Sequence, residues 1–209
     1  MTTSLVCVRT LVIDTATKAC SVALFEGETL CASRYEVIGR GHAERLLPLI
    51  AQLPDRGKAD QIYVNVGPGS FTGIRIGVAA AKALGLAWSI PVHGYGCLAL
   101  VAAMAREKHP GAAPIDVLMT GGHGEYFFGS FNQENVALGE IISIKPAQID
   151  DYSKASLIAG DVEVSGPSRT WADILPDAQQ WHLLRDAAPL KPSPVYGRPP
   201  DAKPALVTV

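Results

Sequence analysis

Short apolar runs broken by glycines, prolines and charged pairs organise the first hundred residues. Leu5 to Ile13 is apolar except at Arg9 and Thr10 and reads as a strand that ends at Asp14-Thr15-Ala16-Thr17. Cys20 to Phe25 is a second β-rich run, turned by Glu26-Gly27-Glu28 into a third from Thr29 to Val37, which predicts an antiparallel meander. After Gly39-Arg40-Gly41-His42 the period lengthens. Leu46, Leu47, Leu49 and Ile50 recur at three- and four-residue spacing, so Ala43 to Leu53 reads as a helix, with Pro48 either in its first turn or marking a kink. Gln61 to Val66 is a short buried strand, followed by the loop Gly67 to Gly73 and a long helix from Ile74 to Trp88. A short strand (Ile90 to His93) and another helix (Gly96 to Arg106) complete an α/β order.

His109 to Pro114 is a Pro/Gly-rich break, which sets candidate domains at 1–108 and 109–209. Beyond it, strands are expected at Ile115 to Met119, Tyr126 to Phe131, Gly139 to Ile144 and Leu157 to Ala159. The tail from Pro189 to Pro204 holds six prolines in sixteen residues and reads as an extended strap or a loosely ordered segment. Both halves open with strand hairpins, which suggests two related lobes.

On the long helix, Gly73, Gly77, Ala80, Leu84 and Trp88 share one side, a pattern suited to close seating on a sheet. Thr72, Arg75, Ile76, Ala79, Lys82, Ala83 and Leu86 occupy the other, where only Arg75 and Lys82 are charged. A helix apolar almost all round is covered on both sides, here by a neighbouring helix of the same chain or by a partner's helix. Composition leans towards the partner: 48% of residues are apolar and only 18% charged, with a mean hydropathy of +0.18. The net charge of −2 gives no global electrostatic footprint for nucleic acid.

Chemistry is sparse. Cys7, Cys20, Cys31 and Cys97 include no CxxC pair and read as free thiols of a reducing cytosol, which places the chain in the cytoplasm. Arg9 and Asp14 interrupt the N-terminal apolar stretch, which does not read as a secretory signal. Ala83 to Ala105 is long enough to span a bilayer, but Pro91, His93, Gly94 and Gly96 cut it into two buried elements, so no membrane segment is expected. His42 lacks a second histidine at the position held by Leu46, and His93, His109 and His182 are isolated, so no metal site is expected. Neither a GxSxG nor a supported Cys/His pair supplies a nucleophile, so no catalytic residue is assigned.

Three features leave phosphate chemistry open. Asp14 and Thr15 at a strand end could hold hydrated magnesium and phosphates, or simply cap the turn. Gly69 and Ser70 precede a helix and could present backbone N–H groups to an anion, or form a Ser-capped turn. The hairpin Thr120 to Glu125 has the same two readings, phosphate-approaching backbone or flexible turn.

Leu11-Val12-Ile13-Asp14-Thr15-Ala16-Thr17, Cys20 to Leu24, His42 to Ile50, Val66-Gly67-Pro68-Gly69-Ser70-Phe71-Thr72-Gly73-Ile74-Arg75-Ile76-Gly77 and Pro194 to Arg198 together resemble the TsaB (YeaZ-like) family. The GPGSFTGIRIG string is the most specific of these pieces, and the match is dense only to about Ala99. The resemblance implies an actin/Hsp70-like (ASKHA, ribonuclease H-like) pair of lobes. It implies a non-catalytic subunit of tRNA threonylcarbamoyladenosine synthesis that pairs with TsaD and works alongside TsaE. The helices Ala43 to Leu53 and Thr72 to Trp88 would then supply the partner face through Leu46, Leu49, Ile50, Thr72, Arg75, Ile76, Ala79, Lys82, Ala83 and Leu86. It further implies self-pairing through the same face, tRNA contact only through the complex, and ATP or ADP at most at the complex junction. The alternative is a nucleotide-dependent transferase or ATPase working through Asp14 and the glycine-rich hairpins. Three departures from the family stand out: Thr120-Gly121-Gly122 replaces an Asp-Ala-Arg-like segment, the Asp55 to Lys58 linker is short, and Gln179 to Pro189 is expected to lack a helix. The second lobe is therefore expected to be reduced.

Overall fold

The computed structural model describes residues 7–197, so Leu5, Val6, Arg198 and the end of the proline-rich tail lie outside it. Two five-stranded sheets carry the fold. The first has the order β3-β2-β1-β4-β5, built from β1 (Arg9–Asp14), β2 (Ala19–Glu26), β3 (Thr29–Val37), β4 (Gln61–Asn65) and β5 (Val92–Tyr95). β1 to β3 form the expected antiparallel meander, and β4 and β5 add in parallel. Leu11, Val12 and Ile13 are all fully buried because β1 is the central strand, covered on both faces.

The second sheet repeats the plan. β6 (Ile115–Gly122), β7 (Glu125–Phe131), β8 (Ile142–Ile144), β9 (Leu157–Gly160) and β10 (Thr170–Asp173) have the order β10-β9-β6-β7-β8. Their strand directions match those of the first sheet, two antiparallel pairings followed by two parallel ones. This is the paired-lobe α/β architecture of the actin/Hsp70-like fold. β10 is a strand the apolar pattern did not announce, since Thr170-Trp171-Ala172-Asp173 is too short to show a period. The reduction of the second lobe is specific: no helix lies between β9 and β10, whereas the matching crossover of the first lobe is an 18-residue helix.

Helices α1 (His42–Ala51) and α2 (Phe71–Trp88) cover one face of the first sheet. Pro48 lies beyond the first turn of α1, so Glu44 loses its ladder partner on a side that faces water. Residues Pro54–Gly57 form a 3-10 turn in which Asp55 and Arg56 adopt left-handed backbone angles. α2 is seated hard against β1. A Cβ at Gly73 would stand 2.1 Å from the Thr15 carbonyl oxygen, and one at Gly77 2.4 Å from Thr15 Oγ1. Its buried stripe is Gly73, Ile74, Gly77, Val78, Ala81 and Gly85. At 100° per residue that stripe is rotated by about 60° from the expected one, which leaves Ala80, Leu84 and Trp88 half-buried on its flank.

α3 (Cys97–Lys108) is the helix that this chain itself encloses, with Leu98, Leu100, Val101, Ala102 and Ala105 fully buried. It packs on β6, β7 and β9 and, on the other side, on a 3-10 helix at Ala178–Leu184. That 3-10 helix corrects the expectation that 179–189 lacks helical structure. It also returns the chain to the first lobe: Trp181 packs on Phe25 and Tyr63, and the Ala178 amide donates to Ser21 Oγ. The Leu190 amide and carbonyl then pair with Gly94, and the Val195 amide donates to the Val66 carbonyl. Residues 178–195 of the 109–209 stretch thus contact the first sheet, and Gly197 stands against Phe127 of the second. The four-residue helix α4 (Ile149–Tyr152) is buttressed by Asp116, whose carboxylate accepts from Ser153 Oγ and the Lys154 and Ala155 amides.

Candidate functional site

Three strand ends converge on Asp14. Asn65 closes β4 and donates from Nδ2 to Asp14 Oδ2 at 2.6 Å, and Tyr95 closes β5 and donates its hydroxyl to the same oxygen at 2.9 Å. The Ala16 amide reaches Oδ1 at 3.1 Å. Burial pushes the Asp14 carboxyl up to about 6 against the pull of these donors, and the Asp177 charge adds to the rise. Thr15 is equally closed, its hydroxyl donating to the Gly73 carbonyl at 2.7 Å. Gly69 is pressed on the Ala16 carbonyl, and Ser70 Oγ accepts from the Gly73 amide as the helix cap. Asp14, Thr15, Gly69 and Ser70 do meet in space, but as a turn locked to a helix. Of the two readings of Asp14 and Thr15, the geometry matches the turn cap: both are buried and hydrogen-bonded within the chain.

Beside this turn a cleft of about 730 Å³ runs between the lobes. Lys18 and Arg40 line it from the first lobe, and the Thr120 to His123 hairpin with Asp161 lines it from the second. Asp161 is held there by the Thr120 amide at 2.7 Å. Among the described residues there is no cluster of three or more metal-ligating side chains, and no helix is long and apolar enough to cross a membrane.

The other candidate surface is the outer side of α1 and α2, where the residues divide. On α2, Thr72, Arg75, Ala79, Lys82, Ala83 and Leu86 are exposed, Leu86 to 84%, and Ile76 is half-buried. Thr72, Ala79 and Ala83 lie at the centre of this face, with Arg75 and Lys82 together on one flank. On α1 the expectation is corrected. Leu46, Leu49 and Ile50 are buried in the chain's own core and touch no outside surface. Their spacing, continued by buried Leu53, is the core-facing stripe. The exposed apolar residues of α1 are Ala43, Leu47, Pro48 and Ala51. Reading that spacing as inward would have found Leu47, which lies 100° off the stripe.

Two further residues join the face without having been singled out from sequence. Phe71 is 56% exposed, and Tyr196 comes from the closing segment to lie 5.3 Å from it, centroid to centroid. Between them the Arg75 guanidinium sits 3.6 Å above the Phe71 ring, and its Nε donates to the Tyr196 hydroxyl at 2.8 Å. Tyr196 is 121 residues from Arg75, so no local pattern could announce the contact.

The repeated five-stranded sheets and the strand-end cluster define the class: a two-lobed actin/Hsp70-like protein whose first-lobe carboxylate is sealed. A family model described as TsaD, tRNA N6-adenosine threonylcarbamoyltransferase, matches residues 35–164. The chain is 30% identical over 195 residues to the tRNA threonylcarbamoyladenosine biosynthesis protein TsaB of Escherichia coli, covering 88% of this chain and 82% of that one. It is 36% identical over 135 residues to the Haemophilus influenzae protein of the same name, covering 60% of this chain and 55% of that one. Among solved structures, YeaZ from Pseudomonas aeruginosa superposes with a TM-score of 0.74 at 28% identity, over 90% of this chain and 99% of that one. The chain belongs to the TsaB (YeaZ-like) family of tRNA threonylcarbamoyladenosine biosynthesis proteins.

Proposed function

We propose that this protein is the non-catalytic scaffolding subunit that binds TsaD and supports threonylcarbamoyl transfer to the adenosine beside the tRNA anticodon. The observation that carries the reading is the outer face of α1 and α2, where Leu47, Pro48, Ala79, Ala83 and Leu86 are left exposed by their own chain. A largely apolar helical face with two cations on α2, one carboxylate (Glu44) on α1 and a small-residue centre suits close packing against another helix pair. The TsaD family model matches the stretch that includes α1 and α2. That shared stretch supports a pairing of related helix pairs across a pseudo-twofold axis. In the absence of TsaD, the same face would pair two copies of this chain. TsaE, the tRNA and any nucleotide would be met through the complex, in the cytoplasm.

The alternative, a nucleotide-dependent transferase or ATPase, needs Asp14 free to meet a metal or phosphate, and here that carboxylate is buried and accepts three internal hydrogen bonds. Size exclusion with light scattering on the purified chain mixed with TsaD tests the proposal. A 1:1 species at micromolar concentration is expected, and two separate peaks at that concentration would overturn it.

A further inference from the structure

Arg75 is held in a way that an idle surface arginine is not. Its guanidinium lies over the Phe71 ring at 3.6 Å and 5.4 Å from the Tyr196 ring centroid, with Nε–H committed to the Tyr196 hydroxyl at 2.8 Å. Tyr196 is itself fixed from behind. The adjacent Val195 amide is bonded to the Val66 carbonyl, and Leu190 pairs with Gly94 in both directions. A Cβ at Gly197 would stand 2.5 Å from the Phe127 ring, so the segment is seated against the second lobe as well. The side chain is ordered by three contacts, yet its two terminal amino groups have no partner among the described residues.

We infer that Arg75 is a pre-set clamp for a carboxylate of the partner protein, with Tyr196 as the positioning residue that holds it. The inference rests on the proposal that TsaD docks on the α1–α2 face. With Nε occupied, only the two terminal amino groups are left to accept a ligand, and an Asp or Glu carboxylate fits that pair end-on with two parallel hydrogen bonds. The ordering cost of a long side chain is met before the partner arrives, which is how a rim charge becomes a strong contact. A protein carboxylate fits better than a nucleic-acid phosphate. The other cation of this flank, Lys82, lies seven residues along the helix, about 10 Å away at 1.5 Å per residue, too far to share one phosphate with Arg75. The rest of the α2 side is apolar or small, and α1 adds an exposed carboxylate, Glu44, which a phosphate would meet with repulsion.

The test is titration calorimetry of TsaD into the full-length chain and into Arg75→Ala, Arg75→Lys and Tyr196→Phe, at low and high salt. Melting temperatures are recorded for each variant. Arg75→Ala is expected to raise Kd by about tenfold or more, and Arg75→Lys to recover little of it, because an ammonium keeps the charge but loses the planar fork. Tyr196→Phe keeps the ring and loses the acceptor, and an increase of about threefold in Kd is expected. The Arg75→Ala effect should shrink as salt rises, and melting temperatures should stay within about 2 °C of the wild type. Wild-type affinity in Arg75→Lys would overturn the clamp while leaving the docking proposal standing. Loss of tRNA retention by the assembled complex with unchanged TsaD affinity would also overturn it, by assigning the fork to phosphate. Failure of the wild-type chain to bind TsaD would overturn the docking proposal. A partner-free arm tests the positioning alone: Tyr196→Phe removes the acceptor of the Arg75 Nε–H and should shift that proton's resonance and speed its exchange with water, and an unchanged Arg75 Nε–H signal would overturn the role of Tyr196.

Discussion

Ala79→Arg separates folding from assembly most cleanly. Ala79 lies on the exposed side of α2, and a longer side chain there is solvated in the free protein. Alanine and arginine differ little in helix propensity. A new cation four residues from Arg75 and three from Lys82 adds like-charge repulsion of only a few tenths of a kcal/mol. The free chain should therefore lose no more than about 0.5 kcal/mol. In the complex the same guanidinium is forced out of water against apolar surface near the centre of the face. An unpaired charge buried that way costs several kcal/mol, and about 3 kcal/mol would raise Kd by roughly 150-fold. Ala79→Glu is the control: it complements Arg75 and Lys82 in the free helix but still buries a charge on docking, so it too should break assembly. Calorimetric titration with TsaD measures the affinity, and urea unfolding measures the stability. Binding within about threefold of wild type by both variants, with folding intact, would refute the assignment of this face as the contact.

Other perturbations follow from the interior. Because burial raises the Asp14 carboxyl from 3.8 to about 6, the folded chain binds a proton more readily than the unfolded one between those values. Asp14 thus costs stability above pH 6 and recovers about 3 kcal/mol as pH falls towards 4. Asp14→Asn should remove that component from the difference between pH-dependent unfolding curves, and a superimposable pH dependence in both proteins would contradict it. Gly73→Ala places a methyl group 2.1 Å from a backbone oxygen of Thr15 and should lose about 2 kcal/mol or more in urea unfolding. Trp181→Ala should cost about 3–5 kcal/mol, because the ring packs on Phe25 and Tyr63 of the first sheet; a loss below 1 kcal/mol would show that the returning segment is not part of that lobe.

The antiparallel meander and the glycine-rich entry to α2 were legible in the sequence because both are local. Gly27-Glu28 turns one strand into the next, and Ser70 caps the helix three residues later. What stayed hidden depended on distance or on phase. The apolar rows of α1 and α2 announced helices but not which row faced inward. Leu46, Leu49 and Ile50 went to the core and Leu47 to the surface, and the α2 stripe was rotated because Gly73, Gly77 and Gly85 let that side approach the sheet most closely. The sequence left both readings of Asp14 open because its donors, Asn65 and Tyr95, lie 51 and 81 residues away and reach it only through the strand order β1-β4-β5. The return of residues 178–196 to the first lobe has the same cause, since a 3-10 turn and an extended strap carry no apolar period.

The most direct measurement is hydrogen exchange of this chain with and without TsaD. Strong added protection is expected at side-chain-bearing turns of α1 and α2 between residues 43–51 and 71–87, with little change in the 120–124 hairpin. Protection confined to the inter-lobe cleft, or no protection in α1 and α2 at saturating TsaD, would contradict a scaffold that docks through its bare helical face.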